Sequence, residues 1–137
     1  MKKLFIMTMI FVMSSVSFAA TTDKIANNQT YKIEMRTGED KSISVPITVI
    51  FDQRFEKSIS KKYISDISNS AFEKAKKMNL KNPYSFKPRE VTVEQVSNTL
   101  EFIAKYTAEN SYGSDVIGEI RIVKFLWDDG LYHDKPQ

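Results

Sequence analysis

The densest group of side chains able to bind a metal or move a proton lies near the end of the sequence, in Asp128-Asp129-Gly130-Leu131-Tyr132-His133-Asp134. His133 is the single histidine, so any imidazole chemistry would run through it. A firm metal site wants three or four ligands held rigidly by a second layer of hydrogen bonds. Asp-Asp-Gly is better accounted for as a hairpin turn, so neither a metal nor any other cofactor is expected. Ser58-Ile59-Ser60-Lys61 has the S-x-x-K spacing in which a lysine activates a serine at a helix start. Arg36-Thr37-Gly38 resembles the third box of that mechanism but precedes the serine, and the middle S-D-N box is missing. That match is by chance. Glu101, Glu109, Asp115 and Glu119 are the carboxylates a glycosidase-like hydrolase would have to bring together. On strands they are accounted for as the wet face of an antiparallel sheet. Among the motifs with a known mechanism, no G-x-S-x-G elbow, phosphate-cradling glycine loop or H-E-x-x-H helix occurs. The chain is not expected to be an enzyme.

One further polar cluster, Ala108-Glu109-Asn110-Ser111-Tyr112-Gly113, lies between two strand-like runs. Asn110 can cap a turn with its side chain, and Gly113 can take positive φ without steric cost. Tyr112 is the residue that turn chemistry does not require. That singles it out, with Asn110, as a candidate interaction site.

The elements that must position these residues can be read from periodicity. In TYKIEMRT, Tyr31, Ile33 and Met35 alternate with Lys32, Glu34 and Arg36, and SISVPITVIF continues the alternation through Ile43, Val45, Ile47, Val49 and Phe51. A Gly-containing turn between them makes a hairpin. Pro46 lacks an amide donor, which predicts a sheet edge or a bulge there. From Ser58 to Met78 the period becomes helical: Tyr63, Ile67, Ala71, Ala75 and Met78 form a stripe widened by Ile64 and Phe72. Ser58 or Ser60 is the predicted N-cap, and Asn79 the left-handed C-cap ahead of Pro83. Three more strands follow: Arg89–Val96; Leu100–Ala108, with Leu100, Phe102, Ala104 and Tyr106 on one face; and Val116–Trp127. The order β-β-α-β-β-β predicts an α+β two-layer sandwich, one amphipathic helix on an antiparallel sheet of about five strands. The last seven residues are left to a short further pairing or to fraying.

Residues 1–19 have the form of a secretory signal: Lys2 and Lys3, the apolar run Leu4 to Met13, and small Ser17 and Ala19 at the −3 and −1 positions. The apolar run is far shorter than the roughly 20 residues a spanning helix needs. Cleavage after Ala19 leaves 118 of 137 residues, with 20–29 as a flexible lead-in and 30–137 as one domain. No cysteine follows, which excludes a lipid anchor, disulfide staples and thiolate metal modules. The expected product is bacterial and exported, periplasmic or secreted, with no stable membrane insertion after cleavage.

Lys2 and Lys3 leave with the signal, so the 20 basic residues fall to 18 against 17 acidic ones. Near-neutrality and export both argue against nucleic acid as a partner, although Tyr84 and Phe86 beside a basic segment have the residue types for it. The charge is unevenly placed. Arg54 to Arg89 holds ten Lys or Arg against three acids, and Glu90 onward four against nine. Lys74, Lys76 and Lys77 fit the C-terminal end of the helix dipole or a patch for an anionic partner.

Two segments, Leu80-Lys81-Asn82-Pro83-Tyr84-Ser85-Phe86-Lys87-Pro88 and Tyr106 to Gly113, together resemble small exported bacterial proteins and lipoproteins of unknown function. In those, a helix exits through an LKDPxSF-like element and a later strand ends in AKNSFG. Asn82 here replaces the acidic residue, Glu109 the lysine and Tyr112 the phenylalanine. The resemblance covers about the last 60 residues and implies a shared helix-plus-meander core and two corners that pack together, not an activity.

The functional expectation is a non-catalytic binding or interaction module, of the inhibitor, immunity or adaptor kind. Its partner is another exported protein or an anionic envelope component. The candidate surface is Tyr112, Asn110, Tyr84, Lys74, Lys76 and Lys77. The alternatives are a small secreted hydrolase using Glu or Asp, and an envelope-polymer binder acting through the lysine-rich helix.

Overall fold

A computed structural model of the chain describes residues 29–51 and 59–137. The signal segment, the lead-in up to residue 28 and Ser58 lie outside the described residues. The elements are β1 (Gln29–Arg36), β2 (Ser42–Phe51), α1 (Lys61–Lys76), a 3-10 turn (Pro83–Ser85), β3 (Lys87–Val96), β4 (Thr99–Glu109), β5 (Asp115–Leu126) and β6 (Tyr132–His133). The fold is α+β, with one helix on a mostly antiparallel sheet whose strands lie in the order β1-β2-β3-β4-β5-β6.

Two features of the sheet differ from the sequence expectation. Six strands replace about five, because Tyr132 and His133 pair with Leu126 and Phe125. And β2 runs parallel to β3, with Ile47 to Phe51 in register with Val91 to Gln95. The reason is α1 itself. A chain that crosses over one face through a helix returns to the end from which it started, so the next strand must run parallel.

Pro46 consequently sits in an interior strand and not at a sheet edge. β3 pairs only from Ile47 onward, which leaves the Ser42–Pro46 half of β2 bonded to β1 alone. The missing amide therefore falls just outside the two-sided stretch. The one bulge in the meander is at Pro88–Glu90 of β3.

Strand alternation places Val45, Ile47 and Val49 of β2, Val91 and Val93 of β3, and Leu100, Phe102 and Ala104 of β4 on the helix side, all buried. The helix answers with Ile64, Ser68, Ala71, Phe72 and Ala75. Small Ser68, Ala71 and Ala75 along one line let the backbone approach the strands closely, while Ile64 and Phe72 fill the flanks. The buried stripe is narrower at its C-terminal end than its period implied, because α1 stops at Lys76 and leaves Met78 exposed. Ser60 is the N-cap, its hydroxyl accepting from Tyr63 N at 3.1 Å. The predicted left-handed cap at Asn79 does not form. The helix ends earlier through Lys77, at φ −80°, whose amide donates to Glu73 O at 3.2 Å.

The other face of the sheet carries threonines and paired charges interspersed with exposed Ile50, Val96, Ile117 and Val123, with Lys105 bonded to Glu90 and Arg121 to Glu101 and Glu119. Hydrogen bonds from these cations to their carboxylates hold Lys105 and Arg121 above their usual pKa range.

Candidate functional site

Three turns and the helix exit meet at the end of the sheet where β3 begins and β4 finishes. In the β1–β2 turn, Thr37 N donates to Lys41 O at 2.9 Å, and Lys41 N donates back to Thr37 Oγ1 at 3.1 Å. The left-handed residue of this turn is Asp40, at φ 61°, and not Gly38. Gly38 has a different task. Its amide donates to Phe86 O at 2.8 Å. A Cβ there would overlap the carbonyl of Pro83.

The 3-10 turn is closed on itself by Ser85 N and Ser85 Oγ, which donate to Asn82 O at 3.1 and 2.6 Å. It is fastened to the end of β4 by two further bonds. Asn82 Nδ2 donates to Glu109 Oε2 at 2.9 Å, and Glu109 N donates to Ser85 Oγ at 2.8 Å. Phe86 is fully buried directly behind, edge-on to Phe72 and tilted against Tyr106. The two segments singled out together in the sequence thus form one hydrogen-bonded corner.

Asn110 and Gly113 act as turn chemistry requires. Asn110 Oδ1 accepts from Tyr112 N at 2.9 Å and Ser114 N at 3.1 Å, and Gly113 lies at φ 77°. The consequence is that Tyr112, between them, is 92% exposed on a turn with a fixed backbone. Tyr84, at the middle of the 3-10 turn, is 72% exposed.

The three lysines lie at the same end of the molecule, where α1 finishes, but they are not equivalent. Lys76 is engaged, bonded to Glu73 at 2.8 Å with its ammonium 5.8 Å from the Phe86 ring. Lys74 and Lys77 are exposed and make no ion pair with any described residue. Tyr84, Tyr112, Lys74 and Lys77 are therefore exposed at this end of the molecule, as is Met78, whereas Asn110 is half-buried and spends its side chain on the turn. Lys76 belongs to the packing.

The carboxylates considered for hydrolysis separate into two groups. Glu101 and Glu119 hold the same guanidinium, that of Arg121, at 2.9 and 2.6 Å. Glu109 and Asp115 face each other across β4 and β5 at the corner, where Asn82 engages Glu109.

The His133 cluster is divided among separate partners. His133 Nε2 meets Asp129 Oδ2 at 2.8 Å and its ring stacks on Trp127 at 3.8 Å. Asp128 is bonded by Gln137, and Asp134 by Lys124, which holds its carboxyl below the usual range. No three His, Asp or Glu side chains among the described residues are grouped to hold a metal. A shallow recess of about 230 Å³ lies beside Trp127, His133, Asp134 and Lys135.

Reading the sequence missed the Asn82–Glu109 and Gly38–Phe86 bonds, since each joins residues from different elements. The one available signal was the pairing of the two motif segments. No helix among the described residues is long and apolar enough to cross a membrane. Comparison with protein-family models, with curated proteins and with solved structures gives no match.

Proposed function

We propose that the chain is an exported, non-catalytic binding module of the envelope or its surroundings, and that the corner bearing Tyr112 and Tyr84 is its contact surface for another exported protein. The observation that carries this reading is the 92% exposure of Tyr112 on a turn whose backbone is fixed by Asn110. Tyrosine gives a large, semi-rigid contact area for little conformational entropy and is over-represented among residues that dominate binding energy. Holding it out in advance removes the ordering cost at the moment of binding. Lys74 and Lys77, exposed at the same end of the molecule and in no ion pair with a described residue, favour a partner surface of negative charge, steering approach as well as contact. The resemblance to small exported proteins is consistent with this reading and adds no chemistry to it.

In-cell crosslinking tests the reading. A photo-activated residue at position 112 should capture one defined protein. The same group at position 48, on the opposite sheet face, should not. Tyr84→Ala should abolish the capture from position 112 while leaving the thermal midpoint of the purified protein in place. Equal capture from both positions, or capture indifferent to Tyr84, overturns the proposal. A product running as a polydisperse smear would instead mark an anionic envelope polymer.

A further inference from the structure

The sheet has two edges, and they are not alike. β1 closes one side; none of the exposed large apolar side chains lies on it. On the other side β6 covers only Phe125 and Leu126 of β5, so no described strand pairs with Asp115–Lys124 on the side away from β4. This open stretch carries three of the exposed large apolar residues, Val116, Ile117 and Val123, with Ile117 78% exposed. A long, apolar, uncovered edge is what soluble proteins ordinarily avoid.

The C-terminal tail could have covered it. Continued in the register of β6, residue 134 would lie opposite Lys124 and the tail would run on along β5. It turns off instead. Trp127 Nε1 donates to Lys135 O at 2.8 Å, and Gln137 bonds the backbone and side chain of Asp128. The turn of the tail leaves Val116–Val123 without a partner strand among the described residues on that side.

We infer that this edge pairs with a second copy of itself, β5 against β5 in antiparallel register about Ile120, making one continuous twelve-stranded sheet with both helices on the same face. A twofold axis normal to the sheet keeps the faces continuous, so only residues of equal parity oppose each other. Centring on Ile120 places Glu119 opposite the partner's Arg121 and Ile117 opposite the partner's Val123, each pair occurring twice. The neighbouring allowed registers fail. Centring on residue 119 sets Glu119 against itself, and centring on 121 sets Arg121 against itself. Directly opposed like charges destabilise a pair of strands, and opposed acid–base or apolar pairs stabilise it. Charge alone does not choose between the two edges of the sheet, because Lys32 and Glu34 also alternate along β1. The exposed apolar side chains do.

Edge pairing does not depend on the corner being a binding surface, and the two can fail separately. Sedimentation of the mature protein from about 1 μM to about 1 mM, a range suited to an interface of this modest size, should show a monomer–dimer equilibrium. Glu119→Arg and Arg121→Glu should each weaken it at least tenfold. Mixed in equal amounts, these two variants should recover wild-type association. Positions 119 and 121 are then both arginine in one copy and both glutamate in the other, so every opposed pair is again acid against base. A variant that simply failed to fold would not recover on mixing. The double variant E119R/R121E should dimerise alone, and the amides of Val116–Val123 should exchange more slowly as concentration rises. A wild-type chain that stays monomeric throughout overturns the inference, as does dimerisation indifferent to both charge reversals.

Discussion

The two ends of the sheet use aromatic side chains in opposite ways. At the end where β4 begins and β6 pairs, Tyr63 stacks on Tyr132 with ring centres 5.7 Å apart, and Trp127 stacks on His133. Gln95 Nε2 adds a hydrogen bond to the Tyr132 hydroxyl at 3.2 Å. Burial, and then the nearby Tyr63, push the Tyr132 phenol up to about 12. At the other end Phe86 goes inward onto Phe72 and Tyr106, while Tyr84 and Tyr112 stand in solvent on hydrogen-bonded turns. At the first end the outermost rings are packed on one another; at the second, polar bonds fix the turns and leave the outermost rings, Tyr84 and Tyr112, free above the buried Phe86. Aromatic residues placed where packing does not need them are the ones available for recognition.

The comparison breaks most readily at the packed end. Tyr132→Ala removes the stack on Tyr63 and the bond from Gln95, and should cost about 2–3 kcal/mol, less than a fully buried aromatic because the ring is half-buried. Urea unfolding monitored through Trp127, the single tryptophan, would read it. Next comes Gly38→Ala, which should cost about 1–3 kcal/mol by forcing the β1–β2 turn away from the carbonyl of Pro83. Its amide exchange should rise at position 38 and leave β6 unaffected. Asn110→Ala removes the acceptor for two exposed amides and should cost about 1 kcal/mol. It should also loosen Tyr112 and so weaken any capture from position 112.

Alkaline titration sharpens the contrast without a mutation. Tyr132 holds its proton more tightly when folded than when unfolded, so the stability it contributes is complete below about pH 10, the ordinary phenol value. That contribution is lost as the pH rises toward 12. The phenolate absorbance of Tyr132 should come last, behind even Tyr63, which burial and then Asp134 also push up, and this last step should vanish in Tyr132→Phe. The smallest effect belongs to Tyr112→Ala, within about 0.5 kcal/mol of wild type, because an exposed turn side chain packs on nothing. A large loss there would mean that Tyr112 is structural and that the two ends are not different in kind.

Local pattern made much of this molecule legible. The alternation of Ile43 to Phe51 and of Leu100 to Tyr106 set which side chains face the helix, since a strand has two faces and a one-residue slip would bury its polar set. Ser60 as N-cap, Asn110 as turn cap and Gly113 at positive φ follow from side-chain and backbone chemistry over three or four residues. The left-handed cap expected at Asn79 shows where that kind of inference stops. Where a helix ends depends on what its last turn packs against, and Met78 finds no cover.

What tertiary structure alone decided is every relation between elements. The parallel pairing of β2 with β3 depends on where the crossover helix lands, a choice that no strand pattern encodes. Gly38 reads as a turn glycine in sequence and proves to be required by the approach of Pro83, from a distant segment of the chain. The exposure of Tyr112 was open in the sequence, because the same turn could have folded its ring inward. The bare edge of β5 was also decided in three dimensions. It exists because Trp127 and Asp128 draw the tail away, contacts made across a turn and between side chains that periodicity cannot see. Sequence thus determined the elements and their buried faces, which short-range sterics and apolar spacing control. The order of the sheet and the surfaces left open were settled by long-range packing.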